Sequence, residues 1–227
     1  TIVGDIAPDQ AQELISRYFG TLKRASYVFD SPRTPHFPGG KKLDVTVDSS
    51  VDKAIVTYAW KTDDFLNISR TRRLHVLAAV MEDRLLRTIR EKLGASYSPA
   101  VYSSTSRVYD SYGTIIAQVV VATESIALTQ KEILKAAQSL VVQPITEDEL
   151  NRAVRPIVTS LKDTVRSNDY WLHSVLSLSS RHPEQLAWAE SIIRDFSSVS
   201  ASDMKTLAGK YLVKDRLAIA VVRPSLK

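Results

Sequence analysis

The feature that most constrains this chain is a long apolar stripe set between two pairs of strand-like segments. Over about residues 67–93, Leu74, Leu77, Ala78, Met81, Leu85, Ile89 and Leu93 recur at spacings of three and four. That spacing is one face of an α-helix, and a stripe so long must be buried against another element. The flanking segments supply it. Leu43 to Asp48 alternates, with Leu43, Val45 and Val47 on one face, and Ala54 to Trp60 sets Ile55, Thr57 and Ala59 opposite Val56, Tyr58 and Trp60. Such period-two patterns are those of half-buried strands. Beyond the helix, Ser96–Ser103 and the Ile- and Val-rich Tyr112–Ala122 read as a second pair. Gly94 stands where a helix C-cap glycine belongs, because glycine tolerates the left-handed conformation.

The rest of the chain is mostly helical. Helices are predicted over 124–142, from Thr146 to about 166, over 169–180 and 184–195, and from Ser200 to Leu212, before a last strand, Leu217–Val222. Thr146-Glu147-Asp148-Glu149 has the form of a capping box, Ser200 to Asp203 is a second S-x-x-D cap, and Pro156 predicts a kink. The order β-β-α-β-β-α-α-α-α-α-β predicts an α+β fold, a mostly antiparallel sheet with helices packed on one face. At the start, Ile2-Val3 leads into Gly4-Asp5 as a short strand and turn, and Pro8 opens an amphipathic helix carrying Ala11, Leu14, Ile15, Tyr18 and Leu22. Residues 26–42 contain Pro32, Pro35, Pro38, Gly39 and Gly40 and read as a linker. The expected organisation is therefore residues 1–25 as the terminal strand and helix of a preceding sister domain, a linker at 26–42, and an α+β domain over 43–227. The last strand, Ala218 to Pro224, echoes Ile2 to Asp5. Either an internal repeat or the general likeness of short apolar strands accounts for that.

Composition removes several classes of function. There is no cysteine among the 227 residues, which excludes disulfides, thiolate metal sites and a cysteine nucleophile. No apolar run approaches the length of a membrane span. The start at Thr1, with no initiator Met and no signal-peptide pattern, reads as the middle of a longer chain. The net charge of +5 is modest, and the aromatic-plus-basic platforms of nucleic-acid binders are missing, so no nucleic-acid partner is expected.

No complete catalytic site is visible. A hydrolytic zinc needs three protein ligands, commonly two histidines a helical turn apart and a carboxylate. The residues three and four beyond His75 are Ala78 and Ala79, His173 and His182 are far apart in sequence, and His36 lies in the linker. No metal ligand is therefore assigned to this chain. A G-x-S-x-G elbow and Gly-rich phosphate cradles are also absent. The adjacent acids Asp63-Asp64 and Glu82-Asp83 read as solvated charges. The segment Arg90-Glu91-Lys92-Leu93-Gly94-Ala95-Ser96-Tyr97-Ser98 stands apart, because a glycine cap between helix and strand keeps Arg90 and Tyr97 close. A guanidinium fork and a phenol presented together can hold a peptide carbonyl or carboxylate. Equally, an arginine suits a helix C-terminus and a tyrosine suits a strand.

That segment resembles the R-E-x-L-G-x-x-Y-S stretch of the insulinase/pitrilysin (M16) family of zinc metallopeptidases. Ile2-Val3-Gly4-Asp5-Ile6 and Tyr18-Phe19-Gly20-Thr21-Leu22 are similar to its V-G-D strand and K-Y-F-G-x-L helix end. Ile145 to Leu150 and Val199 to Met204 are similar to its I-T-x-E-E-L and V-T-A-x-D-V helix starts. The resemblance implies a LuxS/M16 peptidase-like fold and, since the family's H-x-x-E-H zinc motif is absent, a non-zinc C-terminal domain. It implies zinc in the full-length protein, with ligands outside this chain. The implied partner is the zinc-bearing N-terminal half of the same protein, or a catalytic partner subunit, acting on a peptide substrate. Tyr97 would hydrogen-bond the scissile carbonyl oxygen, and Arg90 would anchor the substrate backbone. The alternative is a non-catalytic scaffold or partner subunit. A periplasmic location is expected from the family alone. Leu74-His75-Val76-Leu77-Ala78-Ala79 can be laid beside H-x-x-E-H with two ligands replaced by Ala; a decayed duplicate and coincidence both fit.

Overall fold

The computed structural model describes residues 1–23, 26, 35–94 and 98–225. Its sheet consists of β1 (Lys42–Val47), β2 (Ala54–Thr62), β3 (Ala100–Thr105), β4 (Gly113–Val121) and β5 (Leu217–Pro224), in the spatial order β1-β5-β2-β4-β3. β1 runs parallel to β5, and all other pairings are antiparallel. The last strand in the chain is thus an inner strand. Its composition suits that place: Leu217, Ile219 and Val221 alternate with Ala218, Ala220 and Val222, so both faces are apolar.

The helices are α1 (Pro8–Phe19), α2 (Ile68–Leu93), α3 (Ile126–Val142), α4 (Glu147–Thr164), α5 (Glu184–Ser197) and α6 (Ala201–Tyr211). α2, α3 and α6 pack together on one face of the sheet. The alternation in β2 decides which face that is. Ala54, Val56, Tyr58, Trp60 and Thr62 are all buried, and in the register they stand beside Val121, Val119, Ala117, Ile115 and Gly113 of β4. The α2 stripe meets this layer, with Leu74, Leu77, Met81, Leu85 and Ile89 fully buried. On the opposite face Leu43, Ile55, Tyr102 and Val120 remain exposed. No helix among the described residues is long and apolar enough to cross a membrane.

By compactness the chain divides into two units, Thr1–Thr34 with Val158–Ile193 and Pro35–Ile157 with Arg194–Lys227. The second holds the whole sheet with α2, α3 and α6. In the first, none of the residues of α1 is buried.

The structure departs from the sequence reading at several places. Residues 2–3 form no strand, having no partner strand among the described residues. Ser98 and Pro99 of the predicted second strand pair lie outside β3, which begins at Ala100, where it pairs with Gln118 of β4. Residues 96–97 of the predicted strand lie outside the described residues. Within the predicted helix 169–180, Tyr170–Leu176 is a π-helix. α4, by contrast, runs through Pro156 to Thr164, close to the expected end near residue 166. A proline inside a helix removes one backbone hydrogen bond but is tolerated where the flanking turns are held by other contacts.

Candidate functional site

The site suggested by the sequence lies at the C-terminal end of α2, a helix capped at both ends. The Asn67 side chain accepts a hydrogen bond from the Arg70 backbone N–H at 2.9 Å, which satisfies one of the free amides of the first turn. At the other end the Gly94 N–H donates to the Arg90 carbonyl at 3.1 Å. Gly94 has φ 94° and ψ 169°. The positive φ expected of a cap glycine is present, but ψ is extended rather than left-handed helical. This region is open essentially to glycine alone, and it lets the backbone leave the helix abruptly.

The arginines of α2 differ in how they are used. Arg70 reaches Asp64 at 3.2 Å and Asp63 at 3.4 Å, and Arg72 pairs with Asp195. Arg73 meets Asp203 at 3.2 Å, Arg84 meets Glu149 at 2.8 Å, and Arg87 meets Asp83 at 3.4 Å. Arg90 alone is exposed with no ion pair or hydrogen bond from its side chain among the described residues. In the same turn Lys92 pairs with Glu132 of α3. Tyr97, the intended companion of Arg90, lies outside the described residues.

The described residues of this chain offer no place for a zinc ion. Among the described residues no group of three His, Cys, Asp or Glu side chains could hold a metal. His75 stands edge-on to the Phe196 ring, 5.8 Å between centroids, and the next turn of α2 presents Ala78 and Ala79 where ligands would be needed. His173 and His182 are each beside a carboxylate instead, Asp169 at 2.9 Å and Glu184 at 3.2 Å.

The paired acids read as solvated are in fact engaged. The Tyr211 hydroxyl donates to Asp63 at 2.5 Å, and Lys210 lies 3.5 Å from the same carboxylate. Asp64 accepts from the Ser111 N–H at 2.6 Å, Glu82 accepts from the Val101 N–H at 3.2 Å, and Arg152 reaches Asp83 at 3.1 Å. Burial alone would raise the Asp63 pKa, but the Tyr211 hydroxyl, Arg70 and Lys210 outweigh it and hold the carboxyl below its ordinary value. Burial pushes the Tyr211 phenol up and the Asp63 charge adds to it, so the phenol stays a donor. Each of these acids is matched by a cation or an N–H of its own neighbours, which leaves it a fastener rather than a general acid or base. Adjacent residues diverge in direction, and that divergence is what sends Asp63 and Asp64 to different partners.

The greater part of the sequence points to a known family: residues 1–157 match the model described as the peptidase M16 inactive domain. The chain belongs to the peptidase M16 inactive-domain family. The M16 chain is 24% identical over 165 residues to an uncharacterized zinc protease of Rickettsia felis, a match covering 71% of this chain and 38% of the relative. Its fold is similar to the crystal structure of an M16 inactive domain from Pseudomonas fluorescens, with a TM-score of 0.77 and 18% identity over 98% of this chain and 52% of that one. It is also similar to the periplasmic protease PqqL from Escherichia coli, with a TM-score of 0.68 and 20% identity over 98% of this chain and 25% of that one. This M16 chain thus spans about half or less of the length of these proteins. Its α+β architecture, with a mostly antiparallel sheet covered by helices on one face, is that of these M16 domains.

Proposed function

We propose that this M16 domain serves a full-length zinc endopeptidase by binding the peptide substrate, while another part of the protein carries the zinc. The observation that carries the reading is the state of Arg90. It is exposed, and unpaired among the described residues, on a helix whose other arginines are each tied to a carboxylate. A guanidinium kept free in this way has its fork available to a carbonyl or carboxylate from outside the domain. The role of Tyr97 rests on the resemblance alone: a phenol donating to the scissile carbonyl oxygen as it takes up negative charge. Donors of this kind act by stabilising charge that develops in the transition state. The partner is the zinc-bearing half of the same protein or a separate catalytic subunit, and residues 1–25 belong to the sister domain before this one. A periplasmic site of action is supported by the likeness to PqqL, which its description calls periplasmic.

The test is peptide cleavage by the full-length protein carrying Tyr97→Phe or Arg90→Ala. Loss of a transition-state donor is expected to lower kcat about a hundredfold in Tyr97→Phe. Loss of a charged anchor in the ground state and transition state alike is expected to raise KM by roughly tenfold in Arg90→Ala. Full activity in both variants would refute the assigned roles. A full-length protein that cleaves no peptide with zinc supplied would instead be a scaffold.

A further inference from the structure

We propose that the Lys92–Glu132 pair is a positioning device that holds the last turn of α2, and with it Arg90, in register with the substrate. The proposal rests on the reading of Arg90 above. The last turn of a helix is where hydrogen bonding runs out and fraying begins. A side chain there delivers a guanidinium accurately only if the turn is fixed by something other than the helix itself. Ile89 fixes one side by complete burial in the core. Three residues on, Lys92 continues the same face of the helix and carries its ammonium to the Glu132 carboxylate on α3. The Lys92 side chain is 38% exposed and that of Glu132 only 1%. The anchor is therefore a buried anion on a neighbouring helix, and the tethered cation sits at the rim.

Stability alone does not account for this arrangement. Among the described residues Glu132 Oε2 is buried with no hydrogen-bond partner, and so is the Thr129 hydroxyl one turn earlier on α3. A buried carboxylate satisfied on one oxygen only is expensive, and well-packed apolar residues at both positions would be as stable or more so. What a buried pair supplies and an apolar contact lacks is a directional constraint. Lys92 and Arg90 are two residues apart and so point to nearly opposite sides of the turn. Pulling Lys92 onto α3 therefore sets the rotation of the turn, which aims Arg90 away from α3. Gly94 then ends the helix.

The test uses the full-length protein and an internally quenched peptide that it cleaves. The informative variant is the apolar pair Lys92→Met with Glu132→Leu, because it removes the tether without leaving a buried charge. Its melting temperature is expected to equal or exceed that of the parent, while KM rises about tenfold, as for a coupling at the middle of the usual range, with kcat within about twofold. Lys92→Arg, which preserves the charge, is expected to restore most of the affinity. In an Arg90→Ala background the apolar pair is expected to change KM by less than about twofold. An unchanged KM in the stable apolar pair overturns the proposal. So does an equal loss with and without Arg90, which would mark the pair as a general stabiliser. Full activity of Arg90→Ala by itself would sink the reading of Arg90, and the positioning role with it; an impaired Arg90→Ala with additive effects would sink only the positioning role.

Discussion

Tyr211 is fully buried and gives its hydroxyl to Asp63, so the phenol and the carboxylate depend on one another. Replacing Tyr211 by Phe removes the donor and keeps the ring. A hydrogen bond to a charged group in this setting is worth about 2 kcal/mol, which is the expected loss at neutral pH. The sign of the pH dependence follows from Asp63, whose pKa in the folded protein is held below its ordinary value. Its contribution is complete above the unfolded pKa and disappears as pH falls through the folded one. Urea unfolding of both proteins from neutral pH down to about pH 2 should therefore show the gap between them closing as Asp63 is protonated. A gap of constant size would mean that the bond does not depend on the charge. The residue types of this network are plain in the sequence, but its pairing is not. Tyr211 and Asp63 are 148 positions apart, and nothing in their spacing brings them together. Arg90 is the opposite case: its motif is legible in the sequence, while its lack of a partner among the described residues is visible only once the other α2 arginines have been placed.

At the level of elements, α2 acts as a hub. The capping boxes predicted from Thr146 and Ser200 both form. Thr146 and Glu149 exchange bonds of 2.9 and 3.2 Å, and Ser200 and Asp203 exchange bonds of 2.9 and 3.1 Å. Each capping carboxylate also takes an arginine from α2: Glu149 takes Arg84 and Asp203 takes Arg73. Arg84 further donates to Ser139 at 3.0 Å, which ties α3 to the same point. The first turns of α4 and α6 are thereby fastened to the central helix as well as closed internally. Removing the cap alone and removing cap and fastener together should have different costs. Thr146→Ala is expected to destabilise by about 1 kcal/mol. Glu149→Ala, which also strands a largely buried Arg84, is expected to cost about 3 kcal/mol. Equal shifts in the urea midpoint would show that Arg84 contributes nothing. A four-residue pattern announces a capping box because all its partners are local. The arginine that grips the same carboxylate comes from another helix and has no such signature.

For the whole molecule, the division into two units bears on how the chain is organised. No residue of α1 is buried, whereas Trp60 and Tyr58 lie in the core of the unit that holds the sheet. Deleting residues 1–25 is therefore expected to leave the near-ultraviolet circular dichroism of that core unchanged and to cost less than about 1 kcal/mol of stability, as for loss of exposed surface. A larger loss would make the N-terminal segment part of this domain rather than of the proposed sister domain. What the sequence by itself determined was everything carried by short-range pattern. That comprises the order of strands and helices from β1 onward, the alternation of β2, the long stripe of α2, the caps, and the family motif around Arg90 and Gly94. Hydrophobic period and cap chemistry are local, so they can be read without the fold. Only the tertiary structure decided the placement of β5 between β1 and β2, the parallel pairing of β1, the π-helical turn, and the assignment of each carboxylate to its cation. Those depend on which distant segments meet, and pairing partners compete on packing and charge across the whole chain rather than along it.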